Sequence, residues 1–101
     1  MKLIYNVTVN ISDEKHEDWL HWMQTKHISD VMETGFFEEY RMCKVLSDDP
    51  EGQTYSIQYV CTDRAKLNNY LQQHAPKLQE EHKSNFEGHY VAFRTLLEWI
   101  H

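Results

Sequence analysis

The chain has 101 residues, of which 26% are charged and 13% aromatic, and its formal net charge is −6. That length suits one domain (1–101) able to bury roughly two-thirds of the surface it exposes when unfolded, and the aromatic content excludes a disordered chain. With no cluster of Lys or Arg, the acidic balance excludes nucleic acid and an anionic membrane surface as main partners, since either demands a positive patch.

Lys2 to Ile11 reads as the first strand. Leu3, Tyr5, Val7, Val9 and Ile11 alternate with Ile4, Asn6, Thr8 and Asn10, giving one apolar face and one uncharged, half-polar face. Ser12 or Asp13 then caps a helix whose first turn carries Asp13, Glu14, Glu17 and Asp18, where the helix dipole favours negative charge. At 3.6 residues per turn, His16, Trp19, Leu20, Met23 and His27 share one stripe with Val31 at its edge, and Gly35 ends the helix. Trp22 lies off the centre of that stripe.

Phe36 to Leu46 and Gln53 to Thr62 are the second and third strands, joined by the turn-rich Ser47-Asp48-Asp49-Pro50-Glu51-Gly52 into an antiparallel hairpin. Thr62 or Asp63 caps a second helix with Leu67, Tyr70, Leu71, His74 and Leu78 on its stripe, continued by Glu81, His82 and Asn85. Pro76 has no N–H and crowds the preceding turn, so it kinks or splits this helix, which leaves His82 less well placed than His74. Beyond Gly88, His89 to Ile100 is the fourth strand, with the facing of Arg94, Arg41 and Cys43 left open by the unknown register.

The order β-α-β-β-α-β, with right-handed crossovers, gives an α+β, ferredoxin-like fold: a four-stranded antiparallel sheet carrying two helices on one face. The other face would be bare in a monomer. It is expected to hold Asn6, Thr8, Ser56, Gln58 and Arg94, with Ile4, Val60, Leu96 and Ile100 adding apolar area. Two such sheets paired face to face close a barrel, so a homodimer is expected.

The runs IYNVTVNI, HEDWLHWMQTKHISDVMETG, TYSIQYVC, YLQQHAPKLQEEH and HYVAFRTLLEWI together resemble a small bacterial family of uncharacterised domains in the dimeric α/β-barrel superfamily, over essentially the whole chain. The resemblance implies the same fold and dimer, and no activity. The wider superfamily includes cofactor-free monooxygenases acting on polycyclic aromatics, haem-degrading monooxygenases, isomerases, dye-type peroxidases and ligand-binding regulators, so the fold does not choose among them.

His27 and His74, on the buried stripes of their helices, are the candidate bases: a neutral imidazole in a pocket suits proton abstraction from an acidic carbon or a phenol. Asn6, Trp22, Tyr70 and His82 are the candidate substrate-binding residues. A metal site would need His27, His74, His16 or His82 with Glu38 or Glu81, yet no ligand spacing of the H-x3-H or H-E-x-x-H kind occurs, and no metal is expected. Haem-degrading members of the superfamily place an Asn on the first strand and an aromatic and a His on the second helix. Asn6, Tyr70 and His74 or His82 are similar in kind but differ in residue type and spacing, so no cofactor is expected. The best reading is a homodimeric small-ligand-binding or interaction domain. The alternative is a cofactor-independent monooxygenase- or isomerase-like enzyme.

No export signal precedes the first strand and no apolar run is long enough to span a bilayer, so a cytoplasmic protein with Cys43 and Cys61 as reduced thiols is expected.

Overall fold

The computed structural model describes residues 2–47 and 51–101; the expected turn at Asp48-Asp49-Pro50 lies outside them. The four strands are β1 (Lys2–Ile11), β2 (Glu39–Lys44), β3 (Gln53–Cys61) and β4 (Tyr90–Trp99). They form one antiparallel sheet in the order β2-β3-β1-β4, with β1 and β3 central. This is the ferredoxin-like α+β architecture. The apolar face of β1 packs with that of β3: Tyr5 lies opposite Tyr59, Val7 opposite Ile57 and Val9 opposite Tyr55.

The first helical segment is more varied than its sequence stripe implies. A short 3-10 turn (Asp13–Lys15) leads into α1 (His16–Trp22), a π turn (Met23–His27) and then α2 (Ile28–Glu33), all continuous. The buried positions run Trp19, Met23, Ile28, Val31. The step of five between Met23 and Ile28 is the width of a π turn, which inserts one residue into the α repeat. Gly35 follows at φ +82, the left-handed conformation that stops the helix.

The second helical segment divides as Pro76 requires. It runs α3 (Arg64–Gln73) then α4 (Ala75–Phe86), with the break at His74 (φ −120, ψ −39), so that Pro76 falls in the first turn of α4, where its missing N–H costs nothing. Asp63 is the cap: its Oδ1 accepts from the Lys66 backbone N–H at 2.8 Å.

Two expectations change. The second strand begins at Glu39, not Phe36, because Phe36 and Phe37 turn inward, and Phe37 is buried against Tyr5, Tyr59 and Tyr70 with ring centroids 4.7–6.1 Å away. The register of β4 also reverses the expected facing of Arg94 and Leu96. Val7 pairs with Arg94 and Tyr5 with Leu96. Directly opposed residues share a face, so Arg94 and Leu96 lie on the helix side of the sheet, while Ile100 lies beyond the end of β4. The bare face carries Val91, Phe93, Leu97 and Trp99 instead, all exposed. Its central strip is a polar ladder in which Ser56 donates to Asn6 Oδ1 at 2.6 Å and Asn10 donates to Thr54 Oγ1 at 3.0 Å.

The two thiols are free. Cys43 pairs with Ser56 on the bare face while Cys61 pairs with Leu3 on the helix face, so the sheet separates them.

Candidate functional site

Between the helices and the sheet lies a cavity of about 30 Å³, room for roughly two water molecules. The sheet contributes Tyr5, Val7 and Arg94 to its floor; Met23, His27, Tyr70, Gln79 and His82 reach it from the helices. Most of the wall is apolar, so the few polar groups that reach it define its chemistry.

His27 sits at the last position of the π turn. That wide turn lets His27 and the buried Ile28 both face inward, where a regular α-helix would rotate one of them away. Trp22 stacks on the His27 ring at 4.8 Å and 25°. Burial pushes the His27 pKa down to about 4, against the opposing pull of the Asp30 and Glu81 carboxylates. Its Nδ1 is fully buried and has no hydrogen-bond partner among the described residues. An unpaired buried nitrogen costs roughly 1–3 kcal/mol, which the fold tolerates only where something else is gained.

His82 is held on α4. Its Nε2 accepts a hydrogen bond from the Trp19 indole N–H at 2.9 Å, and Tyr90 meets the ring edge-on at 4.2 Å. An indole N–H can only donate, so neutral His82 carries its proton on Nδ1. Burial, then the nearby His27 and Arg94, push its pKa down to about 4. Both imidazoles are therefore neutral at pH 7, with ring centroids 5.9 Å apart. Lys26 ties this region together, pairing with Asp30 at 2.6 Å and reaching Glu81 on α4 at 3.4 Å.

Arg94 brings the one formal charge among the cavity-lining residues, and it has no carboxylate partner among the described residues. Its Nε–H donates to the Tyr5 hydroxyl at 3.1 Å. Burial also pushes the Tyr70 hydroxyl well above the ordinary phenol range, keeping it protonated.

The sequence candidates divide cleanly. His27, Tyr70 and His82 line the cavity, and Trp22 stands behind His27 without lining it. His74 does not line it. It caps α3, half-buried, with Phe36 and Tyr70 as ring neighbours at 5.4 and 6.3 Å. The expected ranking of His74 over His82 is thus reversed, because the break at Pro76 restarts the helix with its own phase and carries His82 into the interior. Asn6 is on the opposite face of the sheet, bonded to Ser56 and Thr8. That separation takes Asn6, a candidate substrate-binding residue, away from the imidazoles and breaks the set of Asn6, Tyr70 and His74 or His82 that the haem reading needs. Among the described residues no three His, Cys, Asp or Glu side chains gather as a metal site would require, and His16 is bonded to the Tyr55 hydroxyl at 2.6 Å.

Tyr5 and Arg94 are the residues that sequence reasoning missed. Tyr5 reads as plain core, and the facing of Arg94 is set by a pairing between strands almost ninety residues apart.

Fold and cavity together define a ferredoxin-like domain with a pocket between sheet and helices. The chain belongs to the family described as domain of unknown function DUF4286, whose profile matches residues 2–100. No curated protein sequence matches it. Among solved structures it is similar to SnoaB, a cofactor-independent oxygenase from Streptomyces nogalater, in a mutant form (TM-score 0.69, 12% identity, covering 97% of this chain and 92% of that one). It is also similar to a dimeric ferredoxin-like protein of unknown function from Jannaschia sp. (TM-score 0.62, 18% identity, 98% and 100% covered). A third is a dimeric ferredoxin-like protein from an uncultured marine organism (TM-score 0.67, 16% identity, 98% and 97% covered). At these identities the likeness is one of fold.

Proposed function

We propose that this chain is a single small-ligand-binding domain that works as a homodimer. The observation that carries the reading is His27 Nδ1, a buried nitrogen with no partner among the described residues, on a ring that lines an internal cavity. A small turn of the ring towards the cavity would bring that atom to a ligand donor or acceptor and supply the hydrogen bond the fold leaves unmade. The homodimer forms through the bare face of the sheet, where Phe93 is 59% and Val91 70% exposed. Apolar side chains gathered on one sheet face call for a cover, and the dimeric neighbours supply the precedent. No helix among the described residues is long and apolar enough to cross a membrane. Two free thiols fit a reducing cytoplasm.

The test is a fragment screen by ligand-observed NMR on wild type and His27→Phe. Binders that compete with one another and lose affinity in the variant support the reading; hits indifferent to the variant, or none at all, refute it.

A second reading, cofactor-independent oxygenation, is favoured by two neutral imidazoles on one cavity and by the fold likeness to SnoaB. His27 would take the proton from a bound acidic carbon or phenol, with the Tyr70 O–H donating to the resulting oxyanion. Dioxygen consumption dependent on a bound phenol or enol, and abolished in His27→Phe, would select it.

A further inference from the structure

Arg94 stands out against its surroundings. The chain as a whole is acidic, yet the cavity is lined by this guanidinium and by no carboxylate. A guanidinium has five N–H donors. The Nε–H is used on the Tyr5 oxygen, leaving both terminal nitrogens, whose parallel N–H groups match the two oxygens of a planar anion. Having accepted from Arg94, the Tyr5 hydroxyl still has its own proton to give, and no acceptor for it occurs among the described residues. Arg94 is exposed while His82 is buried, so the cavity they share runs from the surface inward. The register puts Arg94 on the helix side of the sheet, so a partner docked on the bare face would leave the guanidinium in place.

We infer that the ligand of this cavity is a compact planar oxyanion, a carboxylate or its like, whose charged head is held by the terminal nitrogens of Arg94 and the Tyr5 hydroxyl while its body points towards His27. This rests on the small-ligand reading above and adds the ligand's charge class. Apolar walls strengthen such a pairing by thinning the water that would screen it. The neutral imidazoles fit the same assignment: neither competes with Arg94 for the anion, and His27 remains free to hydrogen-bond the ligand body.

The experiment is an NMR titration of the full chain with formate and its uncharged isostere formamide, and with acetate and acetamide, at constant chloride. It is run on wild type, Arg94→Gln and Arg94→Lys, following the Arg94 Nε–H and the His27 ring nitrogens. Saturable shifts with an acid at least tenfold tighter than its amide, lost in Arg94→Gln and partly kept in Arg94→Lys, are expected. Arg94 is exposed, so neither variant should disturb folding, and unchanged amide spectra away from the cavity verify this. Equal binding of acid and amide, or acid binding unaltered by Arg94→Gln, overturns the anion assignment while leaving the cavity as a ligand site. Absence of any saturable shift at the cavity with all four probes overturns both.

Discussion

The indole N–H of the fully buried Trp19 is hydrogen-bonded to Nε2 of His82, 2.9 Å away. This bond joins the first helical segment to the last helix and holds one imidazole in a single tautomer and orientation at the cavity. Trp19→Phe leaves the acceptor unpaired beside a new void and is expected to cost roughly 2–4 kcal/mol, read as a lowered urea midpoint at unchanged m-value. In wild type, nitrogen chemical shifts should show His82 protonated at Nδ1 at neutral pH.

Acid should destabilise the fold before the carboxylates titrate. Unfolded, each imidazole has a pKa near 6.5; folded, burial holds His27 and His82 near 4. The unfolded chain therefore binds more protons across this window, so the stability is fully present above about 6.5 and is lost as pH falls towards 4. His27 feels Asp30 and Glu81, which favour its charged form, and Lys26 and Arg94, which oppose it; His82 feels His27 and Arg94, both opposing. A loss on the order of 3 kcal/mol from each of these two groups is expected between pH 7 and pH 4. Chemical denaturation at half-unit steps, with the double variant His27→Phe/His82→Phe as reference, checks it: a reference that loses just as much would assign the effect elsewhere.

His27→Phe should trade binding for stability. The variant keeps the stack on Trp22 and removes the unpaired Nδ1, so the unfolding free energy should rise by about 1 kcal/mol while ligand affinity falls. His74→Ala is the contrasting variant. Because His74 is outside the cavity, its loss should leave ligand affinity within twofold of wild type.

Phe93→Glu places a charge on the bare sheet face, halfway along the edge strand β4. Sedimentation velocity should show the variant as a monomer of about half the wild-type mass, with its helical circular dichroism retained. A variant that sediments like wild type would move the interface elsewhere.

The fold was readable because its signals are local. Alternation in Lys2–Ile11 and Gln53–Cys61, the Asp63 cap, the stop at Gly35 and the break before Pro76 each depend on a few neighbouring residues, and each stands where the chain pattern puts it. The site was only half readable. His27, Tyr70 and His82 carry helix-stripe signals, but the ranking of His74 above His82 assumed one helical phase through Pro76, and α4 has its own. The π turn at Met23–His27 was likewise invisible, since a five-residue spacing between buried positions looks like noise in an α pattern.

By itself the sequence determined the order of the four strands and two helical segments, and which face of β1 and β3 is apolar, because backbone stereochemistry and side-chain periodicity act over one or two turns of chain. Tertiary structure decided which polar groups meet. The pairing of Val7 with Arg94 turned a lone basic residue into the cavity's cation and put Asn6 on the far side of the sheet. A one-residue shift in that pairing would have exchanged the faces, and nothing within β4 alone selects the register; the packing of Tyr90 and Ala92 against the core does.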